Sequence, residues 1–127
     1  MSDSLHRLYD QVIAAKNADL SESRTARLLR AGRSKAAKKL AEEAVEVVID
    51  TMNGDRDAVV RESADLLYNL TVLWVASGVN PTEVWNEMAR RERLFGIAEK
   101  VPKKLNESSA NRRKVVVLNS RRGSKRR

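Results

Sequence analysis

From Leu5 onward, apolar residues recur at three- and four-residue intervals, and no strand-like run occurs before Val115. That period commits roughly the first hundred residues to helix. Leu5, Leu8, Val12 and Ile13 form one amphipathic stripe that ends near Asn17. Ala18–Arg33 is polar, with room for a short helix around Arg24–Arg30 that Gly32 would end. Ser34 fits an N-cap for a helix running to about Met52, and Asn53-Gly54 is its stop. Asp55 or Asp57 then caps a helix that continues through Ser77 to Gly78. Asn80-Pro81-Thr82-Glu83 supplies an N-cap, a first-turn proline and a capping-box glutamate for a last helix to about Arg93. The spacing predicts an all-α bundle of four or five helices over residues 1–102, followed by a basic, flexible tail over 103–127. Val115–Leu118 is too short and isolated to build a sheet.

Composition excludes several chemistries. The 127 residues fit one compact domain, there is no Cys, and His6 is the single histidine. Disulfides, thiolate sites, cysteine nucleophiles and two-histidine metal sites are therefore out of reach. No apolar stretch approaches the roughly 18 residues of a membrane span, and no signal-peptide pattern stands at the start. A soluble, cytoplasmic protein is expected. The net charge of +8 points towards nucleic acid until it is located. Residues 1–102 hold 15 Lys/Arg against 16 Asp/Glu, whereas 103–127 hold 10 against one. The positive charge belongs to the tail, and the bundle is close to neutral.

The bundle concentrates its acids. At about 100° per residue, with Glu42 at zero, Glu46, Asp50 and Glu43 fall near 40°, 80° and 100°. On the following helix Glu62 and Asp65 lie within about 60° of each other, with Asn69 between them. Glu62 projects from an apolar face that includes Ala58, Val59, Leu66 and Leu73, where an unpaired charge is costly. Beyond Leu66 this helix is apolar almost all round, which makes it central. The short Asn53-Gly54 turn folds the two helices into an antiparallel hairpin that can set Glu42, Glu43 and Glu46 opposite Glu62 and Asp65. An oxygen-only cage of this kind suits Mg²⁺, with Mn²⁺ as substitute, rather than Zn²⁺ or copper. Lys38 and Lys39 stand one turn before Glu42 and Glu43, so either ammonium reaches the rim of the same site; the plainer alternative is a pair of helix salt bridges.

Glu42-Glu43-Ala44-Val45-Glu46, followed after 15 residues by Glu62-Ser63-Ala64-Asp65, resembles the EExxE…ExxD signature of the all-α, MazG-like nucleoside triphosphate pyrophosphohydrolases. Lys38-Lys39-Leu40-Ala41 before it and Leu66-Leu67-Tyr68-Asn69-Leu70 after it are similar to the phosphoribosyl-ATP pyrophosphatase family. Ser23-Arg24-Thr25-Ala26-Arg27-Leu28-Leu29 and Gly96-Ile97-Ala98-Glu99-Lys100 also resemble that family, so the likeness covers about residues 3–102. The family often has Gly at the position of Ala41 and His at that of Asn69. Asn69 cannot change charge as His can.

The resemblance implies Mg²⁺-dependent hydrolysis of phosphoribosyl-ATP to phosphoribosyl-AMP and pyrophosphate, the second step of histidine biosynthesis. It implies Glu43, Glu46, Glu62 and Asp65 as metal ligands and Glu42 as the candidate base for the attacking water. Lys38, Lys39 and Asn69 are candidate substrate contacts; Arg27, Arg30, Arg90, Arg91 and Arg93 are further cations. Tyr68, Trp74 and Trp85 read as core or interface more readily than as base-stacking platforms. The all-round apolar helix Ala64–Ala76 predicts a homodimer, and phosphoribosyl-AMP cyclohydrolase is a candidate partner. Two alternatives stand: a general nucleoside triphosphate pyrophosphohydrolase, and a helical module that binds nucleic acid through the tail. The tail holds no aromatic residue, so such binding would be backbone-driven and steeply salt-dependent.

Overall fold

The computed structural model describes residues 2–96. It contains five helices: α1 (Ser2–Ala15), α2 (Arg24–Ala31), α3 (Arg33–Met52), α4 (Arg56–Ser77) and α5 (Pro81–Phe95). No strand occurs among the described residues. The all-α expectation holds; the basic tail over 103–127 and the Val115–Leu118 run lie outside the described residues. Two compact units divide the chain, one ending at Trp85 and the other starting at Asn86.

In the first unit, each of four helices contributes one side chain to a shared core: Val12 from α1, Leu28 from α2, Ala36 from α3 and Val72 from α4. Leu8, Leu29, Tyr68, Leu73 and Val75 pack around them half-buried. Burying a valine or leucine side chain contributes about 1.5–3 kcal/mol, so this small cluster orients all four helices. The α1 stripe works as read at Leu5 and Val12, whereas Ile13 at its edge stays 39% exposed. On α4, Asn69, Thr71 and Val72 are almost wholly enclosed and Trp74 is buried. This is the helix read as central, and it packs against α1, α2 and α3.

The helix ends follow local chemistry. Ser23 caps α2 by accepting from the Ala26 amide at 3.0 Å. One cap differs from expectation: α3 starts at Arg33 behind Gly32, not behind Ser34. Gly32 serves both helices, since its amide donates to Leu29 O and its carbonyl accepts from the Ala36 amide. Such a shared corner needs an extended backbone at φ +96°, open only to glycine, and it leaves Ser34 inside the first turn. Asn53 ends α3 and Asp55 caps α4 by accepting from the Ala58 amide at 3.1 Å. Only three residues separate these helices, so they run antiparallel side by side. Asn80 and Glu83 form the reciprocal box at the start of α5: Asn80 Oδ1 accepts from Thr82 N, and Glu83 Oε2 accepts from Asn80 N. Trp85 donates to His6 Nδ1 at 3.4 Å and meets the Trp74 ring edge-on at 6.2 Å, so both tryptophans act in packing within this unit.

Candidate metal and phosphate site

The antiparallel α3–α4 hairpin brings acids from its two helices together. Carboxylate oxygens of Glu43, Glu62 and Asp65 lie within 4.8 Å of one another. Glu43 comes from the buried side of α3 and is only 8% exposed; Glu62 is half-buried and Asp65 exposed. Glu62 and Asp65 share a face of α4 because they are three residues apart. The Glu62 carboxyl titrates above its ordinary value. A hydrogen bond with Glu43 is the main cause, followed by desolvation and then by the charges of Glu46, Asp65 and Glu43. Glu46 is exposed and acts on Glu62 through its charge, while its carboxylate stands outside the three-acid group.

Glu42 is half exposed to solvent, at 51% of its side chain. Lys39 reaches both Glu42 at 3.6 Å and Glu43 at 3.8 Å, so its half-buried side chain bridges these two neighbouring acids of α3. Lys38, Ala41, Glu42, Val45 and Glu46 line an open groove of about 460 Å³. Asn69 follows Asp65 by one turn and is 1% exposed. Its Nδ2 donates to the Asp65 carbonyl at 2.9 Å, and its Oδ1 is buried without a partner among the described residues. Asp50, counted with the acidic face of α3, is not one of the three clustered acids.

The donor set suits a hard divalent cation. It consists of carboxylate oxygens alone, and among the described residues its three acids are opposed by one ammonium ion within the salt-bridge distance. The charges of Glu46, Asp65 and Glu43 add to the raised proton affinity of Glu62, after the Glu43 hydrogen bond and desolvation. Three of the other cations named from sequence are engaged with groups outside the cluster. Arg27 donates to Leu20 O at 2.7 Å, and Arg90 and Arg91 both grip Glu87, holding its carboxyl down at about 2.

One constellation where α2 meets α4 escapes a reading by spacing. The Tyr68 hydroxyl is hydrogen-bonded to Thr25 Oγ1 at 2.5 Å, and the Arg24 guanidinium lies over the Tyr68 ring, 5.6 Å from its centroid. These residues are 43 and 44 positions apart, so only the docking of α2 on α4 unites them. The nearest sequence signal is the Ser23–Leu29 motif, which marks the segment without indicating what it touches.

The sequence pattern of phosphoribosyl-ATP pyrophosphohydrolase matches residues 5–92. A relative from Bradyrhizobium diazoefficiens, called phosphoribosyl-ATP pyrophosphatase 2, is 62% identical over 99% of both chains. One of the same name from Rhodopseudomonas palustris is 67% identical, over 81% of this chain and 79% of its own. A phosphoribosyl-ATP pyrophosphatase from Azospirillum brasilense is 51% identical, over 79% and 90%. The matched stretch contains all three clustered acids, the lysines beside them and the helices that hold them, and the chain belongs to the phosphoribosyl-ATP pyrophosphohydrolase family.

Proposed function

We propose that this chain hydrolyses phosphoribosyl-ATP to phosphoribosyl-AMP and pyrophosphate, with Mg²⁺ as its cation, in histidine biosynthesis. The observation that carries the reading is the Glu43–Glu62–Asp65 group in a chain of this family. A polyphosphate brings several negative charges, and bare carboxylates would repel it. Glu43, Glu62 and Asp65 would hold the cation, with Glu46 adding charge and a further oxygen at the edge. Bound there, Mg²⁺ supplies charge neutralisation for the phosphate oxygens. Mn²⁺ would substitute.

The protein's own part is to position and to take up a proton. Lys39 already lies between Glu42 and Glu43, so a short swing brings its ammonium to an incoming phosphate oxygen. Lys38 serves the adjoining groove, which it lines together with Glu42 and Glu46. Glu42 is exposed and on the same helix edge, which makes it the candidate acceptor for the proton of the attacking water. Asn69 acts from beneath by holding the Asp65 backbone. Water adds to the anhydride between the α- and β-phosphates, that P–O bond breaks, and pyrophosphate leaves. Phosphoryl transfer needs little covalent help, so positioning and neutralisation suffice.

The enzyme acts in the cytoplasm as a homodimer built through the exposed apolar side chains of α3 and α4. A cyclohydrolase that consumes phosphoribosyl-AMP is its metabolic partner. Residues 1–102 form the catalytic domain and 103–127 a basic extension.

The test is a substrate panel with product analysis. Wild type should release pyrophosphate, not phosphate, from phosphoribosyl-ATP in Mg²⁺ and favour it over ATP. Glu43→Gln and Asp65→Asn should each lower kcat/KM by about 100-fold or more, a loss of several kcal/mol of transition-state stabilisation. Normal turnover in both variants would overturn the site.

A further inference from the structure

The proposed reaction leaves one end of its substrate unaccounted for. Phosphoribosyl-ATP carries a triphosphate at one end and, across the adenine, a ribose 5-phosphate at the other. The acid cluster with its cation explains the first end only. The second end is a monophosphate bearing up to two charges, and ATP lacks it altogether. A residue that reads it must be cationic, must not already be neutralised, and must stand beside the acid cluster instead of within it.

Arg24 meets these conditions. It is exposed, and no carboxylate lies within ion-pair distance of it among the described residues. Lys39, Arg56, Arg90 and Arg91 are by contrast each engaged with an acid. Its guanidinium rests on the Tyr68 ring, which Thr25 pins through the phenolic hydroxyl. At 5.6 Å from the ring centroid the attraction is that of a cation over a π face, and it consumes none of the guanidinium's N–H donors, two of which match two oxygens of a phosphate. The ring thus biases where the cation rests before any ligand arrives. Lysine offers neither the flat face nor the forked edge.

Its place in the fold is also right. Tyr68 follows Asp65 by three residues, about 4.5 Å along the axis and about 60° further round α4. Glu62 is two turns back. Arg24 therefore stands on the Asp65 flank of the cluster, reached across α2 and not along the hairpin that holds the acids. A substrate whose triphosphate lies at Glu43, Glu62 and Asp65 can extend its other end along this flank.

We propose that Arg24, seated on Tyr68, binds the ribose 5-phosphate and is a residue by which the enzyme prefers phosphoribosyl-ATP to nucleotides without that group. This inference rests on the reaction proposed above. Tyr68 is on this reading a support for the cation and not a platform for the adenine.

The experiment compares phosphoribosyl-ATP with its counterpart lacking the 5-phosphate. The readout is the ratio of the two kcat/KM values, which a merely structural role would not move. Arg24→Gln should lower that ratio at least ten-fold, chiefly through a higher KM for phosphoribosyl-ATP. Arg24→Lys should restore part of it, and Tyr68→Leu should lower it by a smaller factor. Free ribose 5-phosphate should inhibit wild type more strongly than Arg24→Gln. A wild type that releases no pyrophosphate from phosphoribosyl-ATP overturns the reaction and this site together. A wild type that does, with an unchanged ratio in Arg24→Gln, overturns the phosphate site alone.

Discussion

Glu62 is the residue at which stability and chemistry oppose each other. Its carboxyl faces Glu43 and Asp65, and each of its environmental influences raises its pKa above 4.5. A folded-state pKa above the unfolded one means that folding favours the protonated acid. The contribution to stability is thus present at low pH and is lost as pH rises from about 4.5 through the folded value. In metal-free protein, Glu62→Gln should raise Tm by a few degrees at neutral pH, and the gain should vanish in acid, where the wild-type group is already neutral. The same variant should lose Mn²⁺ binding, and proton competition should weaken Mn²⁺ binding to wild type as pH falls towards that window. Calorimetry in EDTA at two pH values, with Mn²⁺ titrations, checks both; a gain that persists in acid would rule out charge repulsion. Glu87 is the opposite case: Arg90 and Arg91 hold its carboxyl at about 2, so carbon-detected NMR should find it still ionised at pH 3.5. The acids of α3 were legible as a set because helical spacing groups them. Which of them meet α4 was not, because wheel angles leave the rotation of α3 open; Ala36 in the core and Glu43 beside it settle that rotation.

At the scale of elements, the corner between α2 and α3 joins the helix that begins at Arg24 to the acid helix through one glycine. Gly32 sits at φ +96° and ψ 177°, and a Cβ there would meet nothing within 4 Å. The cost of Gly32→Ala is therefore backbone strain without a clash, about 1–3 kcal/mol. Urea denaturation should show a loss of that size. It should come with a shift in the Tyr68 ring resonances, since α2 reaches α4 through Thr25 and Arg24. A loss below about 0.5 kcal/mol would mean that the corner adopts another turn. This junction shows what local signals convey and what they omit. Ser34 has the chemistry of an N-cap, yet the tighter solution lets one glycine end α2 and begin α3. The hairpin turn and the α5 box were legible because Asn53-Gly54, Asp55 and Asn80-Pro81-Thr82-Glu83 each satisfy the adjacent helix end with their own atoms. The docking of α2 on α4 depends on residues more than 40 positions apart, and no periodicity encodes it.

At the scale of the whole molecule, the decisive fact is where apolar surface remains. Val45, Val48, Ile49 and Met52 on α3 and Val60 and Leu67 on α4 are between 41% and 81% exposed. Most of them lie towards the turn that joins the two helices, and α1 and α2 leave them uncovered. Removing apolar area from water contributes about 25 cal/mol per Å², so leaving this much exposed is a standing cost to a single chain. A second copy is the occupant that the proposed function assigns: a two-fold axis along the hairpin would set the same stripe against itself, which is how an isologous interface forms. The stripe lies on the helices that carry the acids, and Val45 borders Glu42 and Glu46 in the α3 groove. Assembly and activity are therefore coupled in this arrangement. Ile49→Asp and Met52→Asp together should leave the helical content unchanged, because both side chains are more than half exposed within the chain. They should shift sedimentation from a two-chain to a one-chain species at micromolar concentration and lower kcat/KM on phosphoribosyl-ATP by about ten-fold or more, about 1.4 kcal/mol. Wild type sedimenting as one chain, or a one-chain variant with full turnover, would show that this face serves something other than a catalytic dimer.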